Sequence, residues 1–279
     1  MSSLVLLGTG CPSPSDLRFG PSTLFTHDNK NYLFDCGSGV TQRLSAAGVR
    51  SSEVDVVFVT HMHSDHIVDL YQLYISGWHQ GRDSKFKVVG PRGIKAFFDN
   101  LLTAFRSELD GRIQWEKRPN MQGLEYEITE IDDRFTFSSD DISILPFEVD
   151  HFPVEPAYGY QIKYTQKNVE KVVVISGDTR KSENLIQHAN GADALVHEVF
   201  VDLEFDEKRM SQETLVNVCD YHTTPKEVGE IANIANVKKL ILTHFVPPVF
   251  DEKKVIKDIS QAYKGEIIIG EDLMSVDIK

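Results

Sequence analysis

The chain has few cysteines, no long apolar run and little positive charge. Three cysteines, Cys11, Cys36 and Cys219, occur in 279 residues. Their odd number and wide spacing suggest neither a disulfide framework nor a cysteine zinc cluster. The apolar run at the amino terminus is far shorter than the ~20 residues of a membrane span, and no basic leader precedes it. We therefore expect a soluble, cytoplasmic protein with no membrane partner.

The charge balance is acidic. Lys and Arg number 29 against 42 Asp and Glu, which gives a formal net charge of -13. Binding that depends on counterion release from phosphates requires local positive charge, so this balance disfavours a nucleic-acid partner. A local basic patch would still permit one.

Low-complexity segments and linkers are also missing, and short apolar runs alternate with helix-like segments from end to end. We predict a single α/β domain over residues 1–279. Some predicted strands, such as 172–175 and 240–242, are apolar on both faces, which indicates sheets covered by helices on their outer sides. The predicted strands are residues 4–7, 32–34, 54–59, 86–89, 142–147, 158–163, 172–175, 194–197, 240–242 and 267–269.

Helices are predicted over residues 40–47, 67–77, 94–105, 182–189, 225–235 and 253–263. The helix that begins at Pro225 is the best marked, because Thr224 suits the N-cap and Glu227 completes a Thr-x-x-Glu capping box. This places a helix amino terminus beside His222. Residues 107–122 show no clear pattern and are open to a loop or a lid.

The densest group of chemically active residues is the run Thr60-His61-Met62-His63-Ser64-Asp65-His66, which follows the predicted strand 54–59. A loop there can turn its side chains in different directions, so that His61 and His63 serve one metal ion while Asp65 and His66 serve a second. The alternative is a polar surface turn.

Three other predicted strands end in residues that could complete such a site. His151 follows strand 142–147, Asp178 follows strand 172–175 and His244 follows strand 240–242. His151 could complete the first metal site and His244 the second, while Asp178, with two oxygens, is the natural bridge. Taken singly, each of the three is weak evidence, and it is their common placement that supports a metal centre.

The sequence resembles the metallo-β-lactamase superfamily. The resemblance rests on the His-x-His-x-Asp-His run, on Leu7-Gly8-Thr9-Gly10, Phe34-Asp35-Cys36-Gly37, Ser176-Gly177-Asp178-Thr179 and Thr243-His244. It implies an αβ/βα four-layer sandwich with two zinc ions at one edge and a hydroxide held between them as the nucleophile. Manganese and iron are alternatives to zinc. The family also implies a homodimer.

Two further motifs are similar to those of the ribonuclease Z and arylsulfatase-like branch: His197-Glu198-Val199-Phe200 and His222-Thr223-Thr224. In that branch the histidine matching His222 faces the scissile group and is held by the glutamate matching Glu198. His197 and Glu198 point to opposite faces of a strand, so only one can reach the site, and we assign that place to Glu198. The role of His197 stays open between the core and catalysis.

The resemblance also bears on the substrate. Ribonuclease Z usually carries a long tRNA-gripping arm between the ligands matching His151 and Asp178, but here only twenty-six residues separate them. The arylsulfatase-like subgroup lacks the arm, and Phe19-Gly20-Pro21-Ser22, Ser76-Gly77-Trp78 and Tyr158-Gly159-Tyr160 look like that subgroup.

We therefore expect a dinuclear metal hydrolase that attacks a small phosphodiester or sulfate ester. Asp65 would bind metal and orient the nucleophile, and His222, oriented by Glu198, would stabilise the developing negative charge or protonate the leaving oxygen. The alternatives are a ribonuclease Z-type endonuclease that processes tRNA 3′ ends, a lactonase or β-lactamase-like hydrolase, and a non-catalytic protein that kept the fold.

Overall fold

The computed structural model describes residues 2–132, 134–139, 141–201 and 210–278. Its strands follow the apolar and β-branched runs of the sequence. In chain order they are β1 (Ser2–Gly8), β2 (Ser22–His27), β3 (Lys30–Phe34), β4 (Val54–Phe58), β5 (Phe86–Gly90), β6 (Tyr126–Glu130), β7 (Phe137–Ser139), β8 (Ile142–Val149), β9 (Ala157–Gln166), β10 (Val169–Ile175), β11 (Ala194–Phe200), β12 (Lys239–Val246), β13 (Glu266–Ile269) and β14 (Met274–Val276).

These strands form two mixed sheets. The first has the order β14-β1-β2-β3-β4-β5-β6 and the second the order β13-β12-β11-β10-β9-β8-β7. The run β3 to β6 is parallel in the first sheet, and the run β10 to β13 is parallel in the second. Strand β8 points the same way as β10, because each is antiparallel to β9, which lies between them. Strands β8, β10, β11 and β12 therefore all end at one edge of the second sheet.

Helices cover the outer face of each sheet. In chain order the α-helices of the described residues are α1 (Val40–Ala46), α2 (Ser64–Ile67), α3 (Leu70–His79), α4 (Ile94–Ala104), α5 (Arg106–Glu116), α6 (Glu183–His188), α7 (Gln212–Asp220), α8 (Pro225–Ile234) and α9 (Glu252–Ile259). Within the described ranges no helix is long and apolar enough to cross a membrane. The capping box predicted at Thr224 and Glu227 is present at the start of α8.

Three apolar cores separate four layers. One core lies between the two sheets and includes Phe58 and Tyr160. A second fills the space between the first sheet and helices α1, α3 and α4, and a third fills the space between the second sheet and helices α6, α8 and α9. Burial of apolar area in these cores is the main force that holds the layers together. The predicted αβ/βα sandwich is confirmed.

All ten predicted strands and all six predicted helices are present, with shifted ends. The helix predicted over 67–77 begins later, and a separate one-turn helix, α2, holds Asp65 and His66, which were expected on a loop. Strands β2, β6, β7 and β14 were not predicted. Strands β6, β7 and β14 are short or polar and lie at the ends of the sheets, where one face can remain exposed to solvent.

Residues 107–122 are not a plain loop. Residues 107–116 belong to α5, whose only buried residue is Leu109, so the sequence shows no apolar periodicity there. Trp115 is 89% exposed on this helix, whereas Trp78 on α3 is fully buried. Helix α7 was missed for the same reason, since none of its side chains is buried.

The second sheet also fixes the start of the histidine-rich segment of the first. Tyr160 in β9 donates from its hydroxyl to the carbonyl of Val59 at 2.6 Å. The amide of Tyr158 donates to the carbonyl of Thr60 at 2.9 Å. The chain therefore leaves β4 in a direction set by β9, directly ahead of His61.

Candidate metal centre

The first group of candidate ligands is His61, His63, His151 and Asp178. Their ligand atoms lie within 4.8 Å of one another. His63 Nδ1 is 3.0 Å from His61 Nε2 and 3.2 Å from His151 Nε2. His61 and His63 follow β4, whereas His151 and Asp178 follow β8 and β10, so this group joins the ends of strands from both sheets.

The second group is Asp65, His66 and His244, and Asp178 lies between the two groups. His244 Nε2 is 3.3 Å from Asp65 Oδ2, and His66 Nε2 is 3.5 Å from the same oxygen. The Oδ2 atom of Asp178 is 3.4 Å from His66 Nε2 and 3.3 Å from His244 Nε2. It is also 3.8 Å from His61 Nε2 and 4.0 Å from His151 Nε2. One carboxylate oxygen therefore lies within 4.0 Å of a ring nitrogen of each of four histidines.

These spacings fit metal coordination. Two ligands bound at roughly 2.0–2.1 Å from a tetrahedral ion are about 3.3 Å apart, which is close to most of the separations within each group. His66 Nε2 is buried and has no hydrogen-bond partner within the described part of the chain, although it faces Asp65 and Asp178. A buried, unpaired nitrogen directed at carboxylates is expected of a metal ligand. The residues present thus fit divalent ions.

The second ring nitrogens of three of these histidines are held by neighbouring groups. Thr60 Oγ1 is 2.9 Å from His61 Nδ1, and His151 Nδ1 donates to the carbonyl of Tyr221 at 2.8 Å. Asp35 Oδ2 is 2.8 Å from His66 Nδ1. Such contacts fix the tautomer and orientation of a ligand histidine.

Asp35 is a site residue whose role the sequence analysis missed. It is 6% exposed, and it accepts from the backbone amide of Thr60 at 2.8 Å as well as from the Thr60 hydroxyl. Asp35 therefore holds both the start of the ligand segment and the ring of His66. The available signal was its place after β3, beside the end of β4, together with the Phe-Asp-Cys-Gly motif.

The electrostatics of the cluster favour a neutral His61, an ionised Asp178 and a protonated His66 beside the carboxylates. Burial lowers the pKa of His61 well below its usual range, and the neighbouring His66 adds to the effect. Burial alone would raise the pKa of Asp178, but His244 and His66 outweigh burial and hold it well below its usual range. Burial likewise acts to lower the pKa of His66, but the surrounding carboxylates, Asp178 first, raise it well above normal. A cation placed among these groups would satisfy them together.

Glu198 and His222 lie beside the cluster. Glu198 Oε1 is 3.1 Å from His222 Nδ1 and also accepts from the backbone amides of Thr223 and Thr179. A ring nitrogen of His222 is within 4.8 Å of the ligand atoms of Asp178 and His244. Although burial acts to lower the pKa of His222, Glu198 raises it above its usual value.

His197 stands apart from this arrangement. It is fully buried, its Nδ1 is 2.6 Å from the carbonyl of Glu198, and its Nε2 has no partner among the described residues. It belongs to none of the candidate metal groups found there. The structure thus brings together every residue proposed from the sequence as a ligand or catalytic group, with Glu198 and not His197 directed at the site.

Comparisons with known proteins agree with this architecture. The family model described as anti-Pycsar protein Apyc1 matches residues 2–244. A ribonuclease Z of Mycolicibacterium gilvum is 34% identical over 286 residues, which cover 100% of this chain and 96% of the relative. A ribonuclease Z of Mycobacterium marinum is 32% identical over 288 residues, covering 100% of this chain and 99% of the relative.

Solved structures share the fold. The metallo-β-lactamase fold protein YhfI from Bacillus subtilis matches with a TM-score of 0.74 and 19% identity, covering 99% of this chain and 98% of that one. The short form of human tRNase Z matches with a TM-score of 0.70 and 21% identity over the whole of both chains. This chain belongs to the metallo-β-lactamase-fold metal-dependent hydrolases, in their ribonuclease Z branch and in the family of the Apyc1 model.

Proposed function

We propose that this protein is a phosphodiesterase that uses two divalent metal ions, most simply zinc. The observation that carries the proposal is the pair His222 and Glu198 beside the seven candidate ligands, because it supplies a proton donor next to a metal centre. His61, His63 and His151 would hold one ion, Asp65, His66 and His244 the other, and Asp178 would bridge them. Ions bound there would lower the pKa of a water molecule towards neutrality.

The residues of the chain account for the rest of the reaction. Asp65 orients the attacking water, which loses a proton to solvent as its oxygen bonds to phosphorus, while the bond from phosphorus to the leaving oxygen breaks. His222 gives its proton to that leaving oxygen, and Glu198 keeps the ring in the orientation and charge state that this transfer requires. Helix α8 begins three residues after His222, so its N-terminal amides and dipole favour an anionic phosphate there.

An RNA phosphodiester is the first candidate substrate. Relatives named ribonuclease Z align with the whole chain at about one-third identity, and they favour a phosphodiester over the sulfate ester that the sequence analysis placed beside it. They also give nucleic acid more weight as a partner than the net charge of -13 suggested. Net charge sets the long-range field and does not determine the local field within a cleft.

A small phosphodiester is the second candidate. The tract between His151 and Asp178 is largely filled by the hairpin of β9 and β10, which pair from Ile175 with Tyr160 to Val169 with Gln166. This tract therefore leaves no room for an arm that would grip a folded RNA. Without an arm, an enzyme must hold its substrate through the reacting group and a few near contacts.

The test is a comparison of kcat/KM for a precursor tRNA, a linear dinucleotide, a cyclic mononucleotide, bis(4-nitrophenyl) phosphate and an aryl sulfate, all with one zinc-loaded preparation. We expect metal-dependent hydrolysis of phosphodiesters, and in the His222→Ala protein a loss of activity that is largest on substrates whose alkoxide leaving group requires a proton. Position-specific cleavage of the tRNA with little action on the small esters selects the first candidate, and the reverse selects the second. If only the sulfate is hydrolysed, or nothing is, the proposal is wrong.

A further inference from the structure

Arg180 connects three segments that carry the site. Its Nη1 atom donates to Asp150 Oδ1 at 2.7 Å. Its Nε and Nη2 atoms donate to the carbonyl and the carboxylate of Asp220, at 2.5 and 2.7 Å. Asp150 directly precedes the candidate ligand His151, and Asp220 stands two residues before His222. One guanidinium therefore ties a ligand-bearing turn to the turn that carries the proton donor.

Backbone hydrogen bonds reinforce the same junction. The amide of Arg180 donates to the carbonyl of Asp150 at 2.8 Å. The Thr223 hydroxyl donates to the carbonyl of Thr179 at 2.5 Å. The Arg180 side chain adds contacts to Asp220 that these backbone bonds do not make.

The position of the turn that carries His222 depends on hydrogen bonds and ion pairs of this kind. This turn continues directly from α7, a helix with no buried side chain, so apolar packing of this helix contributes little to the position of the turn. The planar guanidinium meets the carbonyl and the carboxylate of Asp220 with two parallel donors, which fixes direction as well as distance. The amine of a lysine, at the end of a flexible side chain, cannot fix both the direction and the distance of this contact.

We propose that Arg180 is a positioning residue: it holds the turn at residues 220–222 so that His222 reaches the leaving oxygen. This inference rests on the proposed phosphodiesterase function. Asp150 and Asp220 are 56% and 70% exposed in their side chains, and ion pairs with such exposed partners add little to folding stability. The main effect of losing Arg180 therefore falls on the geometry of proton transfer.

The experiment compares Arg180→Gln and Arg180→Lys with the control Lys181→Gln. Lys181 is the next residue, and its amine pairs at 2.7 Å with Glu230 of α8 instead of with Asp150 or Asp220. Each protein is assayed on bis(4-nitrophenyl) phosphate, whose leaving group departs without a proton, and on a dinucleoside monophosphate, whose alkoxide leaving group requires one. Metal content and thermal unfolding are measured on the same preparations.

For Arg180→Gln we expect kcat on the dinucleotide to fall by about 10- to 100-fold, since small misplacements of a reacting group cost that much. The loss on the aryl ester should be within about threefold, because proton transfer matters less there. Arg180→Lys should recover part of the rate, and Lys181→Gln should match the wild type on both substrates. His222→Ala should show the same substrate selectivity as Arg180→Gln, to a greater degree.

A second measurement requires no turnover. Amide hydrogen exchange over residues 212–222 should be faster in Arg180→Gln than in the wild type and in Lys181→Gln. Equal rate losses on both substrates, loss of bound metal, or unchanged exchange would each overturn the inference. Absence of metal-dependent turnover in the wild type would instead refute the phosphodiesterase function, and the exchange data would still decide whether Arg180 holds this turn.

Discussion

Replacement of Asp35 by asparagine should weaken metal binding. Asp35 is buried and accepts at both carboxylate oxygens, from the Thr60 amide at 2.8 Å and from His66 Nδ1 at 2.8 Å. With His66 Nε2 turned to the metal centre, its Nδ1 carries the proton and acts as a donor. Asparagine has one oxygen, so its NH2 group must face either the Thr60 amide or the His66 ring, and both are donors.

The magnitude follows from that mismatch. Leaving one buried donor unpaired costs about 1–3 kcal/mol. Loss of the partner that orients a ligand histidine typically lowers metal affinity by about 10- to 100-fold, which is about 1.4–2.8 kcal/mol. The two estimates agree in scale, so we expect Asp35→Asn to bind zinc about 10- to 100-fold more weakly.

Zinc affinity is measured by competition with a chromogenic chelator, alongside thermal unfolding of the metal-free protein. Asp193→Asn is the matched control, because Asp193 is also a buried aspartate that accepts from a backbone amide, that of Val172 at 2.9 Å. It precedes β11, at the end of the sheet away from the metal centre. The control should lose stability and keep its zinc affinity. Wild-type affinity in Asp35→Asn would refute the reasoning.

Four further outcomes are expected. Asp178→Ala should lose both ions by elemental analysis, and full occupancy would contradict its bridging role. His222→Ala should keep its metals while kcat falls about 10²- to 10⁴-fold, and Glu198→Gln should lose less activity. Because Glu198 raises the pKa of His222, the proton persists above the usual range and activity falls as pH rises through that pKa, so Glu198→Gln should shift this alkaline limb to lower pH. Gly177→Ala should lower the free energy of unfolding in denaturant titrations by about 1–3 kcal/mol, since φ is +62° and a Cβ would lie 2.6 Å from a carbonyl oxygen of Tyr158.

The positions of the candidate ligands were predictable because these residues follow strand ends. His151, Asp178 and His244 each come just after an apolar run or at its end, and parallel strands bring such positions to one edge of a sheet. The alternation rule also selected Glu198 over His197 correctly for the side that faces the site. These inferences need only local patterns and the topology of the sheets.

What could not be predicted depends on tertiary contacts. The Tyr221 carbonyl receives the His151 ring, and Asp220 receives Arg180, through approaches between segments that are distant in the sequence. Helix α5 lacks an apolar stripe because it buries only Leu109, so periodicity could not reveal it. Polar groups that hold the candidate ligands in place, and helices that bury few side chains, leave little trace in a single sequence.

The candidate ligands come from both sheets, and this has a consequence for how long the protein survives in a cell. One ion held by His61 and His151, and another held by His66 and His244, would join segments from both sheets and act as cross-links that close very long loops. All three cysteines are free thiols, so disulfides do not compete for that task. Unfolding would then require release of the ions, and ligands that bind only the native state raise its stability in proportion to the logarithm of their concentration. Degradation of this protein should therefore quicken when the supply of metal falls.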